Sequence, residues 1–361
     1  MNHQVIVNLE NFLITDFIAI ELAGFVFTDN YTIREAYYDK LTQQAVGLVN
    51  SRHSREAAFV WYEKRIELQD SELFDIDLND PISTNTDKVI DNLKCYFNFL
   101  WLVRDNSIGI TNILTKITGT TKASFMIDSY STSNSKGERV DVRFTLEDLK
   151  LANELYVKYN TILNDSIKKM PTDLKIKEGR DVSIIYKSEN EGIVRTRGRS
   201  YNNEFNYKNT NCLERAFHFL GIARGEDYLI YKIAFYIPIL ECLFATEHGE
   251  ITTQIAYRTA FYLGGDTARK LEVDRIVRRT YNIRSRFIHG QPFNGDSKEP
   301  KTTLIYYSTE LDKIIREVLI KIILNDSAVF LAEKEIKESF LNSLVFNQIN
   351  LPPTLLSNSD L

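Results

Sequence analysis

The chain has 361 residues, of which 43% are hydrophobic and 26% charged, and its net charge is −5. That length suits two domains of about 100 to 200 residues better than one, and the composition is that of an ordinary globular protein, which excludes wholesale disorder. The mildly acidic balance excludes recognition of a polyanion through bulk electrostatics, so any nucleic-acid contact has to come from a local basic patch.

The opening MNHQVIVNLENFLITDF has no basic segment followed by a long apolar core, and no run reaches bilayer length, so neither secretion nor membrane insertion is expected. Gln4–Val7, Asn11–Ile20 and Ala23–Phe27 read as strands or buried edges. Trp61 and Tyr62, beside Arg52, His53 and Lys64, suit nucleic-acid contact, and an amphipathic helix from Ser54 to Leu68 accounts for them equally well. From Asp87 to Val103, Val89, Ile90, Leu93, Tyr96, Phe97, Leu100 and Leu102 recur at helical spacing. Ser124–Tyr130 and Val140–Phe144 are β-rich runs around the polar STSNSKGER, which reads as a hairpin. Thr145 to Asp148 resembles a capping box and opens a helix that Met170-Pro171 stops.

The stretch 172–210 is polar apart from a strand candidate at Val182, Ile184, Ile185 and Tyr186, and it marks the expected boundary. Residues 1–200 form a mixed α/β sensing or regulatory domain, and residues 201–350 a helical one. Helices are predicted at Cys212–Arg224, Asp227–Thr246, Glu250–Leu263, Asp266–Ile288, Glu310–Leu324 and Ala328–Leu344, with Gly264-Gly265 as a terminator. The fold class is thus mainly α with a mixed α/β N-terminal region, ending in an antiparallel bundle.

Several chemistries lack their residues. Cys95, Cys212 and Cys242 are odd in number and far apart, which fits a reducing, cytoplasmic setting and offers neither a disulfide framework nor a CxxC knuckle. His3, His53, His218, His248 and His289 have no zinc-ligand spacing, so no metal or other cofactor is expected. Both the GxSxG elbow and the GxxxxGK[ST] phosphate loop are absent. Two arginine clusters remain: Arg195, Arg197 and Arg199 in a polar stretch, and Arg275, Arg278, Arg279, Arg284 and Arg286 on one predicted helix. Each is a phosphate-binding patch or a solvated, ion-paired face.

The second cluster carries the chemistry. In Tyr281-Asn-Ile-Arg284-Ser-Arg286-Phe-Ile-His289-Gly290, the core-facing stripe is Ile276, Thr280, Ile283 and Phe287. Gly290 ends the helix, so His289 sits at the carbonyl end of the dipole, which favours the imidazolium. Arg284, about one and a half turns earlier, keeps its charge at every relevant pH. Such a pair suits phosphodiester cleavage by the RNA's own 2′-hydroxyl: histidine exchanges the proton, and arginine stabilises charge on the phosphoryl oxygens. Taken alone it also reads as a capped helix end. Glu241, inside FYIPILECLFA, needs a cationic partner, Arg258 or Arg284. It serves either as a buried register pair or to orient Arg284. Tyr281 stacks on a base or packs.

Over about Leu213–Leu324 these segments resemble the HEPN superfamily, specifically its ApeA-like branch. The similarity lies in Ile239-Leu-Glu241-Cys-Leu-Phe-Ala, then Ile255-Ala-Tyr-Arg258-Thr-Ala, then the closing Arg284-Ser…His289-Gly290. It implies a HEPN-like antiparallel bundle whose Arg-x4–6-His motif, matched by Arg284 and His289, is the ribonuclease signature. It also implies a homodimer with a composite active site and an antiphage or toxin role, with an unknown regulator or antitoxin as a further partner. Glu241, Tyr281, Ser285 and Arg286 are then supporting residues, and Arg278 and Arg279 bind RNA. Ser285 follows the motif arginine where many HEPN toxins have Asn, Asp or His. Gln291 stands where some carry a tyrosine, so silencing by tyrosine adenylylation is not indicated. The alternative is a non-catalytic HEPN module for RNA or nucleotide binding or for dimerisation.

Overall fold

The computed structural model describes residues 2–15, 19–30, 32, 58–65, 81–118, 123–128, 130–168, 182–187, 193–198, 210–246, 250–291 and 300–346. Arg52, His53, Arg199, His248, the expected boundary at residue 200 and the terminal Leu-Pro-Pro stretch lie outside them. The chain is mostly helical with an N-terminal sheet region. No helix among the described residues is long and apolar enough to cross a membrane.

Strands β1 (Asn2–Glu10), β2 (Phe12–Ile14), β3 (Ala19–Leu22), β4 (Phe25–Thr28) and β5 (Phe59–Arg65) open the chain. With β6 (Gly109–Ile117) and β7 (Ala123–Ile127), all but β2 form a six-stranded sheet in the order β3-β4-β5-β1-β6-β7. Every neighbouring pair in it is antiparallel. Strand β1 is central and buried on both faces, because its alternation divides it. Val5, Val7 and Leu9 join the main core, whereas Ile6 packs with Phe59, Leu114, Trp61 and Phe125 on the other face. Ala23 and Gly24, at φ 55° and 79°, make the two-residue turn between β3 and β4, where positive φ at both positions matches strand twist.

Two N-terminal expectations are corrected. The span Ser54–Leu68 is not a helix in its described part, since Phe59–Arg65 is strand β5. The aromatic and β-branched run Phe-Val-Trp-Tyr suits a pleated, two-faced surface, and Trp61 packs on Phe59 at 5.6 Å. Nor do Ser124–Tyr130 and Val140–Phe144 make a hairpin. Strand β7 pairs with β6, while β8 (Val142–Phe144) pairs in parallel with β2. The polar segment between them is buried at Thr132, Ser133, Asn134 and Ser135, because distant partners satisfy its hydrogen bonds. The Ser133 amide donates to the Arg224 carbonyl (2.9 Å), the Ser135 amide to both Asp105 oxygens (3.0 Å each), and the Ser308 hydroxyl to the Ser135 carbonyl (2.6 Å). Gly137 turns the segment at φ +74°, and an added Cβ would stand 2.2 Å from the Asp227 carbonyl oxygen. Strand β9 (Val182–Lys187) is as expected, and it pairs antiparallel with β10 (Ile193–Gly198), which carries Arg195 and Arg197.

The helices are α1 (Pro81–Val103), α2 (Leu146–Lys168), α3 (Cys212–Gly225), α4 (Leu229–Phe244), α5 (Ile251–Leu263), α6 (Thr267–Ile288) and α7 (Pro300–Lys321). A π-helical turn, Ile322–Asp326, leads to α8 (Ser327–Phe330) and α9 (Lys334–Phe346), so the last predicted helix is two. The capping box at α2 is reciprocal: the Thr145 amide donates to Asp148 (2.9 Å) and the Asp148 amide to Thr145 Oγ1 (3.2 Å).

Helices α1 and α2 share one apolar core with the sheet and with α3–α7. Phe99 stacks on Phe217 (5.3 Å), and Tyr159 lies 4.6 Å from the same ring. Three fully buried charged residues cross this core. From α3, Arg224 donates to the Phe97 carbonyl (3.1 Å), Asn106 Oδ1 (2.8 Å) and Thr132 Oγ1 (3.2 Å). From α4, Lys232 donates to the carbonyls of Ala223 (2.8 Å) and Ser133 (3.3 Å). On α7, Asp312 accepts from Trp101 Nε1 (3.0 Å), the Tyr236 hydroxyl (2.7 Å) and Arg316 Nε (2.8 Å).

Burial, aided by Asp105, pushes the Asp312 carboxyl up to about 6 against the pull of Arg316. Its contribution to stability is therefore complete below the ordinary aspartate value near 3.8 and is lost as pH rises through about 6. Urea titrations from pH 4 to 7 will show that loss in the wild type and not in Asp312→Asn. Asp312→Ala, which orphans the Trp101 and Tyr236 donors, will lose about 3 kcal/mol at pH 7.

Candidate active site

Helix α6 is held at both ends. Asp266 caps its start by accepting from the Arg269 amide (2.8 Å), just after Gly264 and Gly265 at φ +75° and +93°. At the other end His289 is the C-cap residue and Gly290 follows at φ +65°. The Gln291 amide donates to the Arg286 carbonyl (2.8 Å) and the Gly290 amide to the Phe287 carbonyl (3.1 Å), the paired bonds of a Schellman termination. Between the ends, Val273, Ile276, Val277, Thr280 and Ile283 are buried, and the Thr280 hydroxyl is tied back to the Ile276 carbonyl at 2.8 Å. The predicted stripe Ile276, Thr280, Ile283 is thus the core face. Phe287 is half-buried and packs edge-on against Tyr231 at 5.0 Å.

Glu241 on α4 faces Arg284, not Arg258. Its Oε2 lies 3.8 Å from Arg284 Nη2, and the two side chains are 24% and 28% exposed. That separation is too long for a hydrogen bond. Burial raises the Glu241 carboxyl above its ordinary value, and Arg284 only partly offsets it. Arg258 is engaged elsewhere, donating to the Phe244 carbonyl (2.6 Å) at the end of α4 and to Asn342 (3.0 Å). The Arg284 guanidinium also stands 5.8 Å over the ring of Tyr281, which packs on the core.

Arg284 and Glu241 open onto an apolar groove of about 610 Å³ between α3, α4 and α6. Its walls include Phe219, Tyr231, Phe235, Pro238, Phe287 and Ile288. His289 is exposed and does not line this groove. Arg278 is occupied by Asp274 (2.9 Å), Thr253 (3.2 Å) and the Tyr257 ring (5.2 Å). Arg279, Ser285 and Arg286 are half-buried. The carbonyls of Ser285 and Arg286 serve the helix end by accepting from the His289 and Gln291 amides. The structure therefore gathers Arg284, Glu241 and Tyr281, and leaves His289, Arg278 and Arg279 outside that cluster. The groove walls were not singled out from sequence. Pro238 inside an apolar helix was the available signal, whereas Phe219 and Tyr231 carried none. Among the described residues no group of three or more His, Cys, Asp or Glu could hold a metal ion.

Compared with protein-family models, curated proteins and solved structures, the chain matches none of them.

Because the folded state raises the Glu241 pKa, its contribution is present below the ordinary value near 4.5 and lost as pH rises through the raised one. Thermal denaturation at pH 5 and pH 8 will accordingly find Glu241→Gln at least as stable as wild type at pH 8. A lower Tm for the variant at pH 8 would mean that the ion pair outweighs the burial cost.

Proposed function

We propose that the chain is a metal-independent endoribonuclease of the HEPN type. In this reading the C-terminal helices are a HEPN-like antiparallel bundle and Arg284 and His289 are its catalytic pair. The observation that carries it is the state of Arg284. Whereas Arg278 is held at 2.9 Å by Asp274, Arg284 stands 3.8 Å from the Glu241 carboxylate and lines an open groove. A guanidinium so placed can take a phosphate without first breaking a tight pair.

In the reaction the RNA 2′-oxygen bonds to the adjacent phosphorus as the bond from phosphorus to the 5′-oxygen breaks. The products are a 2′,3′-cyclic phosphate and a 5′-hydroxyl. His289 takes the 2′-hydroxyl proton or supplies one to the departing 5′-oxygen, and Arg284 neutralises the charge gathering on the non-bridging oxygens. Five positions of helix set Arg284 and His289 about 140° apart around the axis, so their convergence on one phosphate calls for a homodimer in which each copy completes the other's site. The toxin or antiphage role, in the cytoplasm and under an unknown regulator or antitoxin, follows from the family resemblance. A second reading, a non-catalytic HEPN module for RNA or nucleotide binding or dimerisation, is favoured by the position of His289 outside the groove.

Purified protein incubated with RNA and a chelator separates the two readings. Wild type is expected to cut, and Arg284→Ala and His289→Ala to lose at least about 100-fold in rate, the usual worth of a general acid–base group. Cleavage unchanged in both variants would remove the ribonuclease assignment.

A further inference from the structure

The groove beside Arg284 has a mixed lining. Aromatic rings from three helices, Phe219, Tyr231, Phe235 and Phe287, make its apolar walls, and two carboxylates, Glu226 and Glu241, line it together with a single cation, Arg284. Its volume of about 610 Å³ falls within the usual range of about 300 to 1,000 Å³ for small-ligand sites. Glu241 is half-buried, and no hydrogen bond reaches its carboxylate from the described residues, Arg284 Nη2 standing 3.8 Å away. A partly exposed carboxylate in that condition has accepting capacity that a ligand entering the groove can use. Pro238, on the same helix, has no N–H for the Ala234 carbonyl four residues back, and both residues line the groove.

The charges narrow the occupant. A phosphate beside Glu226 or Glu241 would meet a carboxylate, so an anion fits only where it contacts Arg284. A cationic side chain would be welcomed by the carboxylates and the rings but repelled by Arg284, which stands next to Glu241. A neutral, flat, donor-bearing group joined to an anion satisfies both signs, and an unpaired nucleotide has that form. Aromatic walls stack bases of any sequence, so discrimination has to come from Glu241, whose carboxylate offers two accepting oxygens. Guanine alone among the four RNA bases offers two adjacent donors, N1–H and the 2-amino group, to the two oxygens of a carboxylate. Adenine and cytosine each place a ring acceptor beside their amino group, and uracil flanks its N3–H with two carbonyls.

We propose that this groove is a base-recognition pocket for an unpaired guanine, read by the Glu241 carboxylate, with Arg284 holding the phosphate attached to that nucleotide. In making that phosphate the scissile one, the assignment rests on the ribonuclease reading and gives it a cut-site preference. Glu241 is then a specificity-determining residue, and the substrate is single-stranded where it is cut, since a base inside a duplex cannot enter a groove of this kind.

The test is calorimetric titration of the full chain with the 3′-monophosphates of guanosine, adenosine, cytidine, uridine and inosine. Guanosine 3′-monophosphate is expected to bind at least about tenfold tighter than the other three standard nucleotides, the worth of a charge-assisted hydrogen bond. The inosine compound, which lacks only the 2-amino group, is expected to bind several-fold more weakly than the guanosine one, a comparison that needs no variant. Glu241→Gln, with its Tm recorded alongside, is expected to abolish the preference. Equal affinity for the guanosine and adenosine compounds, equal affinity for the guanosine and inosine compounds, or binding of N-acetylarginine amide with no nucleotide bound, each overturns the proposal. Protein that binds guanosine 3′-monophosphate selectively and cuts no RNA leaves the pocket standing and removes the ribonuclease. Protein that cuts RNA with no guanine preference, and equally well as Glu241→Gln, does the reverse.

Discussion

Burying Arg224, Lys232 and Asp312 together is the constraint on which the architecture turns. Each is fully buried, and an ion withdrawn from water at such depth persists only when its partners are in place. Those partners come from far along the chain. Arg224 reaches α1 and the segment before β8, Lys232 reaches the same segment, and Asp312 gathers Trp101 from α1 and Tyr236 from α4. The polar residues 132–135 can lie inside the protein because the Thr132 hydroxyl accepts from Arg224 and the Ser133 carbonyl from Lys232. Burial holds the Lys232 amine down to about 8, with Arg224 adding to the effect. The nearby Asp312 carboxylate opposes that fall, and an amine at about 8 is still mostly charged at neutral pH.

The sheet region and the helical region are therefore fastened by directional contacts in addition to apolar packing. Any influence of the N-terminal strands on α6 has to pass through packed elements. From β1 the route runs through α1 to Trp101, then Asp312 on α7, then Tyr236 on α4, the helix that carries Glu241. Contacts of this kind have few alternative arrangements.

The helices were the legible half of the fold. Apolar spacing and caps located α3 to α6 within about two residues and the end of α1, which starts at Pro81 and not Asp87, and the α2 capping box was written in Thr145 and Asp148. The strands were less so, for two reasons visible in particular residues. Phe59 to Tyr62 alternates between two packed faces, and a short aromatic run of that kind has no period that separates strand from helix. The first part of STSNSKGER, Thr132 to Ser135, is polar and buried because its partners, Arg224 and Lys232 among them, lie elsewhere in the chain, so local composition imitated a fully solvated turn. Within the candidate site, the helix termination at Gly290 and the need of Glu241 for a cation could be read directly. Which cation it faced could not, since Arg258 and Arg284 are separated only by the packing that commits Arg258 to the end of α4.

The end of α6 sets a rule for spacing. A Schellman termination requires its left-handed residue at one position, and Gly290 fills it at φ +65°. His289 is consequently fixed in phase with Arg284 by the helix between them. Inserting or deleting one residue there would swing the imidazole by about 100° and move it about 1.5 Å along the axis. The direction in which the imidazole leaves the helix is thus set by the number of residues between Arg284 and Gly290 as much as by the identity of residue 289.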